Sequence, residues 1–192
     1  MAMFAHSSRI DAGFLTARPS SVRTAMATLS VRDARREDCK EVRRLIQELA
    51  DFEKMPDGPR IDEKDLERDS FDVKPPLFYC YVVDDPNDSS KLIGYAIYFY
   101  AYGALTGRKM YLEDIYVTET FRGKGVGHML FQKVVQKGVE MKCVDMDFVV
   151  LDWNPAQDFY KARGARDITE EGSWHLYHLG NDCLKTLTGK SK

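Results

Sequence analysis

The stretch Arg122-Gly123-Lys124-Gly125-Val126-Gly127 decides the fold, because it lies between a segment typical of a strand and one typical of a helix. Residues 110–117 before it are rich in apolar and aromatic side chains, which predicts a strand. Residues from about 125 to 142 have the apolar periodicity of an amphipathic helix. Three glycines at alternate positions leave backbone N–H groups uncovered at the positive end of that helix, and such a site suits a diphosphate.

Two other phosphate-binding patterns do not fit this loop. Its spacing is G-x-G-x-G, whereas dinucleotide folds carry G-x-G-x-x-G, and no Lys-Ser or Lys-Thr pair follows as in a P-loop. Arg122 and Lys124 can add positive charge for an anion. On spacing alone, a surface loop without a ligand stays an alternative.

The remaining segments predict an α+β (mixed α/β) fold. We predict strands at 29–34, 78–83, 92–101, 144–151 and 174–179, besides 110–117. One helix is predicted around residues 42–49, because Val42, Leu45, Ile46 and Leu49 form an apolar face. Two further helices are predicted from Asp62 to about residue 70 and from Asn154-Pro155 onward. The strands 78–83 and 92–101 form an antiparallel hairpin, and 144–151 is apolar enough to be a parallel strand buried on both faces. The sum is a mostly antiparallel mixed sheet flanked by helices, with one β-α-β crossover near its middle.

Composition sets the class and the domain organisation. The chain has 192 residues, 44% hydrophobic and 30% charged, with a net charge of −2, which predicts a single domain over 28–192 and no attraction to nucleic acid or an anionic membrane. No apolar run reaches the ~20 residues of a membrane span. Cys39, Cys80, Cys143 and Cys183 lack metal-like spacing and are expected as reduced, buried thiols, so no metal site is predicted.

The first residues differ from the rest. Residues 1–27 are basic, rich in Ser and Ala and poor in acids. Two interpretations remain open: a disordered tail, which favours a cytoplasmic protein, or a transit peptide over residues 1–25, which favours mitochondria.

Several motifs resemble a known enzyme family. Arg-x-x-Gly-x-Gly after Tyr111-Leu112-Glu113-Asp114-Ile115-Tyr116-Val117 is similar to motif A of the GNAT superfamily of N-acetyltransferases, and Trp153-Asn154 with Phe159-Tyr160-Lys161 is similar to motif B. The segments 44–50, 111–114, 151–154 and 172–174 resemble the diamine (spermidine/spermine) acetyltransferases. The similarity covers about residues 29–188 and implies a GNAT fold with acetyl-CoA as co-substrate, bound at the crossover.

The resemblance implies the residues that bind the cofactor. The glycine loop would hold the CoA pyrophosphate, the preceding strand would pair with the pantetheine arm, and the start of the next helix would line the far side of the channel. The implied residues are Ile115, Tyr116, Val117, Arg122, Gly123, Lys124, Gly125, Val126, Gly127, His128, Asn154, Pro155 and Ala156.

Two residues are predicted to carry the chemistry. A phenol beside the sulfur can protonate the leaving thiolate, and Tyr160 is the candidate general acid. The substrate amine must lose a proton before it attacks the thioester, and the resemblance favours Glu113 over Asp114 for this step. Adjacent strand residues point to opposite faces, so Glu113 and Asp114 are not expected to enter one site directly.

Substrate binding is expected to involve acids, since an extended diamine carries a cation at each end. The resemblance implies Phe52, Glu53, Glu113, Asp147, Phe148 and Glu171. Gly103-Ala104 stands where some polyamine-specific members carry an Asp, which favours the branch linked to thialysine.

The predicted function is therefore transfer of an acetyl group to a small cationic amine, a polyamine, a diamine or thialysine. A protein lysine or N-terminal acetyltransferase and a non-catalytic CoA-binding module remain alternatives. The resemblance implies a homodimer, and no nucleic-acid or membrane partner is expected.

Overall fold

A computed structural model describes residues 29–55, 57–172 and 175–188. The strands are β1 (Val31–Asp33), β2 (Tyr79–Asp85), β3 (Asp88–Gly103), β4 (Gly107–Val117) and β5 (Asp145–Asp147). The α-helices are α1 (Cys39–Phe52), α2 (Glu63–Glu67), α3 (Val126–Glu140), α4 (Ala156–Lys161), α5 (Ile168–Gly172) and α6 (Asn181–Leu187). None of these helices has both the length and the apolar character that crossing a membrane requires.

The strands form one sheet in the order β1-β2-β3-β4-β5. Neighbouring strands are antiparallel except β4 and β5, which run parallel and are connected through α3. The predicted α+β fold with a mostly antiparallel mixed sheet and one β-α-β crossover is confirmed. The crossover lies at one edge of the sheet of described strands, not near its middle as predicted, because β5 has β4 as its one neighbour there.

Local sequence signals place several elements. The side chain of Asp62 accepts hydrogen bonds from the backbone N–H groups of Lys64 (2.8 Å) and Asp65 (3.0 Å), and so caps α2 as predicted. Residues 85–88 form the tight turn between β2 and β3. The chain therefore forms the predicted hairpin at this point.

Helices cover both faces of the sheet. On one face, Val126, Leu130 and Val134 of α3 pack against β3 and β4. On the other face, α1 and α2 pack against the same strands, with Val42 and Leu45 buried and Ile46 and Leu49 at the border of the core. The amphipathic patterns of α1 and α3 are confirmed by these contacts.

Two predicted strands differ from the structure. The segment 144–151 forms a strand only over Asp145–Asp147, and Val144 and Val149 are 60% and 66% exposed. The prediction that it is buried on both faces is wrong, because β5 is a short edge strand. Residues 175–179 form no strand, and Trp174 lies outside the described residues.

Other predictions concern the cysteines and the N-terminus. Cys39 and Cys80 are buried as expected, whereas Cys143 is half-buried and Cys183 is exposed. The predicted tail, residues 1–27, lies outside the described residues, and the domain boundary at residue 28 stays a prediction.

Candidate active site

The glycine loop joins β4 to α3 through a short 3₁₀ turn, Glu119–Phe121. Gly123 and Gly125 adopt φ angles of +72° and +85°, which residues with a side chain rarely take. A Cβ at either glycine would meet no atom of the described residues within 4 Å. The backbone conformation thus favours glycine, and the surface of the loop stays open to a ligand.

The backbone N–H groups of this loop are free to bind an anion. From Gly123 to His128, none donates a hydrogen bond to another described residue. Gly125 at the N-cap offers no side-chain acceptor, and the first turn of α3 contains no acidic residue. The positive end of the helix dipole is therefore uncompensated by the described chain, and a diphosphate fits the donors that converge there.

The two cations of the loop contact aromatic rings. Arg122 Nε donates to the carbonyl oxygen of Val117 at 3.0 Å, and the guanidinium lies 4.7 Å from the ring centre of Phe52 and 5.3 Å from that of Tyr116. Lys124 Nζ lies 4.8 Å from the ring centre of Phe121. Arg122 thus ties the loop to the end of α1, and its contact with a bound phosphate stays a prediction.

One edge of β4 lacks a strand partner next to the loop. The pairing with β5 ends at Tyr111 opposite Asp147, while β4 continues to Val117. The backbone of Ile115–Val117 on the side away from β3 is consequently not paired with any described strand. An extended ligand can add to such an edge by backbone hydrogen bonds.

Asn154 caps the start of α4. Asn154 Oδ1 accepts a hydrogen bond from Ala156 N at 2.9 Å, and Pro155 has helical angles, as the predicted cap requires. At the other end of α4, Arg163 Nη2 lies 3.2 Å from Nδ1 of His128 in the first turn of α3. The Arg163–His128 contact thus links the C-terminal end of α4 to the first turn of α3, next to the glycine loop.

Tyr160 is the buried residue of α4. It is 8% exposed, and its ring centre lies 4.5 Å from that of Phe148 and 5.7 Å from that of Phe131. Burial, together with the negative charges of Asp114 and Glu53, raises the pKa of Tyr160 to about 12. Its hydroxyl therefore keeps its proton at neutral pH, as a general acid must.

A β-bulge at the Glu113–Asp114 pair changes the expected geometry. Ile97 of β3 pairs with Asp114 and the next residue, Tyr98, pairs with Leu112, so β4 has one residue more than β3 here. Leu112 and Ile115 both pack on the α3 face although they are three positions apart. The regular alternation is interrupted, so adjacency does not place Glu113 and Asp114 on opposite faces.

Asp114 lies on the α1 face and is mostly removed from solvent. Tyr95 of β3 donates a hydrogen bond from its hydroxyl to Asp114 Oδ2 at 3.2 Å. Burial, then the neighbouring charges of Glu113 and Glu53, raise the pKa of Asp114 to about 6, while the Tyr95 hydrogen bond acts in the opposite direction. A carboxyl group with this pKa is a suitable proton acceptor near neutral pH.

Two further predicted acids, Glu53 and Glu113, lie near Asp114. Glu53, next to α1, is half-buried, and burial raises its pKa. Its charge acts on both Asp114 and Tyr160, so the structure brings it into the same group. Glu113 is exposed beside Asp114.

Three other predicted substrate residues have protein partners. Asp147 Oδ2 forms a 2.6 Å ion pair with Lys109, and Glu171 Oε2 forms one of 2.9 Å with Arg166 in the exposed segment around α5. The ring centre of Phe52 lies 5.7 Å from that of Trp153. Asp147 and Glu171 are thus engaged by cations of the chain, and their roles toward substrate stay predictions.

Tyr95 has no predicted role from sequence, although its hydroxyl donates to the carboxylate of Asp114. It lies in an apolar strand among several aromatic residues, and nothing in the local pattern distinguishes it from a core residue. Its contact depends on the register of β3 against β4 and on the bulge. No signal in the sequence identifies that contact.

Comparison with known proteins identifies a family that matches this chain. Residues 39–165 match the Acetyltransferase (GNAT) family. The thialysine N-epsilon-acetyltransferase of Sus scrofa is 38% identical over 172 residues, which span 86% of this chain and 100% of that protein. The spermidine/spermine N(1)-acetyltransferase-like protein 1 of Homo sapiens is 39% identical over 166 residues, 84% of this chain and 24% of that protein.

Solved structures show the same fold. An integron cassette protein from the mobile metagenome of V. cholerae superposes with a TM-score of 0.65 at 22% identity, covering 83% of this chain and 97% of its own. An aminoglycoside acetyltransferase from a soil metagenomic sample gives a TM-score of 0.63 at 17% identity, covering 80% and 97%. The chain belongs to the GNAT acetyltransferase family, within the group that includes the thialysine N-epsilon-acetyltransferases.

Proposed function

We propose that the protein moves the acetyl group of acetyl-CoA to the primary amine of a small cationic substrate, by direct attack of the amine. The observation that carries the proposal is the proximity of a partly buried carboxyl group, Asp114, to a buried phenol, Tyr160, whose pKa its charge raises. One group is suited to take a proton and the other to give one at neutral pH.

Several parts of the chain fit acetyl-CoA. The free N–H groups of Gly123 to His128 would hold the diphosphate, and the unpaired edge of Ile115–Val117 would hold the pantetheine arm. Asn154 to Ala156 would line the far side. When bound, acetyl-CoA supplies an acetyl thioester that is activated toward an amine.

Three proton transfers accompany the reaction. The substrate amine has a pKa near ~10 and arrives as a cation, so Asp114 accepts one of its protons. As the new C–N bond forms and the C–S bond breaks, Tyr160 donates its proton to the departing sulfur. The nitrogen then loses its second proton, which returns Tyr160 to the neutral phenol. We assign the amine proton to Asp114 instead of Glu113, because the environment of Asp114 tunes its basicity, and place Glu113 at the exposed entrance, where it attracts the cation.

The substrate class follows from charge and from the relatives. Glu53, Asp114 and Glu113 form an acidic group that favours a cationic substrate. The turn between β3 and β4 starts with Gly103-Ala104 and so lacks an acid for a distal ammonium. Together with the names of the relatives, this favours thialysine or a similar amino acid over spermidine.

An amine panel tests the proposed substrate class. Free thialysine, spermidine and a lysine peptide are compared in one assay of acetyl-CoA consumption. We expect kcat/KM for thialysine to exceed that for spermidine by about tenfold, the loss that one missing charge contact brings. Fastest turnover of the peptide would favour the protein acetyltransferase instead, and no turnover with any amine despite CoA binding would contradict catalysis.

The glycine loop gives a second prediction. Gly125→Val adds a side chain at φ +85° and covers the N–H groups, so the Kd for acetyl-CoA, measured by calorimetry, should rise at least about tenfold. Gly107→Val is the matched control, because Gly107, the first residue of β4, also has a positive φ, +102°, and no described atom lies within 4 Å of its Cβ position. Both variants are expected to lose folding stability. If their Kd values for acetyl-CoA were equal, the glycine loop would have no part in binding CoA.

We also propose a homodimer, as the family resemblance implies. Apolar side chains in the last described segment are strongly exposed in the single chain, among them Leu176, Tyr177 and Leu187. Light scattering of the purified chain tests this, and a fully active monomer would contradict it.

Labelled fusions with and without residues 1–25 distinguish the cytoplasmic from the mitochondrial location.

A further inference from the structure

The buried hydroxyl of Tyr95 has one hydrogen-bond partner on the α1 face. The Tyr95 side chain is 0% exposed and packs with Val82, Ile97 and Tyr116. Its hydroxyl donates to Asp114 Oδ2 at 3.2 Å, and no other hydrogen bond of this hydroxyl joins it to a described residue. Packing alone would be satisfied by phenylalanine, and a buried hydroxyl is unfavourable unless it is bonded.

The direction of this hydrogen bond is fixed. Burial and the adjacent charge of Asp114 keep the pKa of Tyr95 well above its ordinary value. The phenol therefore stays protonated at every pH at which the enzyme works. While Asp114 is ionised, Tyr95 is the donor and Asp114 is its acceptor.

We propose that Tyr95 is a positioning residue for the acetyl transfer, whose hydroxyl holds the carboxylate of Asp114 in place as a hydrogen-bond acceptor and favours its ionised form. The inference rests on the proposed role of Asp114 as proton acceptor. Tyr95 itself lies inside the core and acts on the substrate only through Asp114.

The surroundings of Asp114 make this hydrogen bond important. The titratable groups that face Asp114 are Tyr95 from β3, Cys80 from β2, Glu113 from β4, Glu53 after α1 and Tyr160 from α4. Burial and the two glutamates oppose ionisation of Asp114, whereas Tyr95 favours it. Burial raises the pKa values of Cys80 and Tyr160, so both stay neutral in the working range. Tyr95 is thus the one side chain of this group that stabilises the carboxylate.

The pH dependence of the Tyr95→Phe variant tests the inference. Without the donor, the pKa of Asp114 rises, so the acidic limb of the kcat/KM profile should move up by about one pH unit. Activity at about pH 6 should fall about fivefold and return to within about twofold of wild type at about pH 8.5. Tyr98→Phe is the matched control, because it removes a buried phenol from the opposite face of the sheet and should leave the limb in place.

A direct titration complements the kinetics. The carboxyl carbon of Asp114, labelled with ¹³C and assigned by its absence in Asp114→Asn, reports the pKa by NMR without any substrate. We expect this resonance to titrate about one pH unit higher in Tyr95→Phe than in wild type. An unchanged titration, or a loss of activity that is equal at all pH values, would overturn the role of Tyr95. An acidic limb that persists in Asp114→Asn would instead overturn the proposed role of Asp114.

Discussion

Replacing Tyr160 with Phe is expected to lower kcat about 100-fold near neutral pH, with less than about a twofold change in the Kd for acetyl-CoA. The ring of Tyr160 is held by Phe148 and Phe131, and phenylalanine preserves these contacts. The change removes the proton that the departing thiolate, with a pKa near ~8.5, needs at this pH. Single-turnover kinetics measure the acetyl transfer itself, and calorimetry measures the affinity.

The pH dependence of the defect provides a stronger test. Above the pKa of the thiol, the thiolate can leave without a proton. The kcat of Tyr160→Phe should therefore come closer to the wild-type kcat as the pH rises. Wild-type Tyr160 itself, with its pKa raised to about 12, stays protonated throughout this range. Tyr98→Phe serves as the control for loss of a buried hydroxyl. Unchanged turnover in Tyr160→Phe would remove this residue from the mechanism.

The Asp114→Asn variant is expected to lose about 100- to 1,000-fold in kcat/KM at neutral pH, since the amide cannot accept the proton of the amine. In the wild type, a carboxyl group with a pKa of about 6 must be ionised to act, so activity should fall as pH drops below about 6. That acidic limb should disappear in Asp114→Asn. The loss of kcat/KM in Asp114→Asn should also become smaller near the pKa of the amine, ~10, because a large part of the amine is then already neutral in solution.

Two further variants separate this result from other causes. Asp145→Asn changes an exposed acid on β5 and should retain the wild-type profile. Glu113→Gln tests the acid that the family resemblance favours, and we expect it to raise KM more than it lowers kcat. A larger fall in kcat for Glu113→Gln than for Asp114→Asn would return the proton transfer to Glu113.

Most of the local elements of this fold can be predicted from the sequence. The apolar faces of α1 and α3, the Asp62 cap, the hairpin of β2 and β3 and the left-handed glycines of the loop each follow from residues close together in the chain. Burial was harder to predict, because Val144 and Val149 have strand character whether or not another element covers them. Whether another element covers these two side chains depends on the rest of the fold.

The chemistry of the site shows the same division. The sequence by itself predicted an anion-binding loop, the cap at Asn154 and the candidates Tyr160, Glu113 and Asp114, from the glycine spacing and from the resemblance to a known family. Only the tertiary structure decided how the two acids differ, because a bulge in β4 places Asp114 against Tyr95 while Glu113 stays exposed. A pKa depends on burial and on charges that come from distant parts of the chain, and folding alone brings those together.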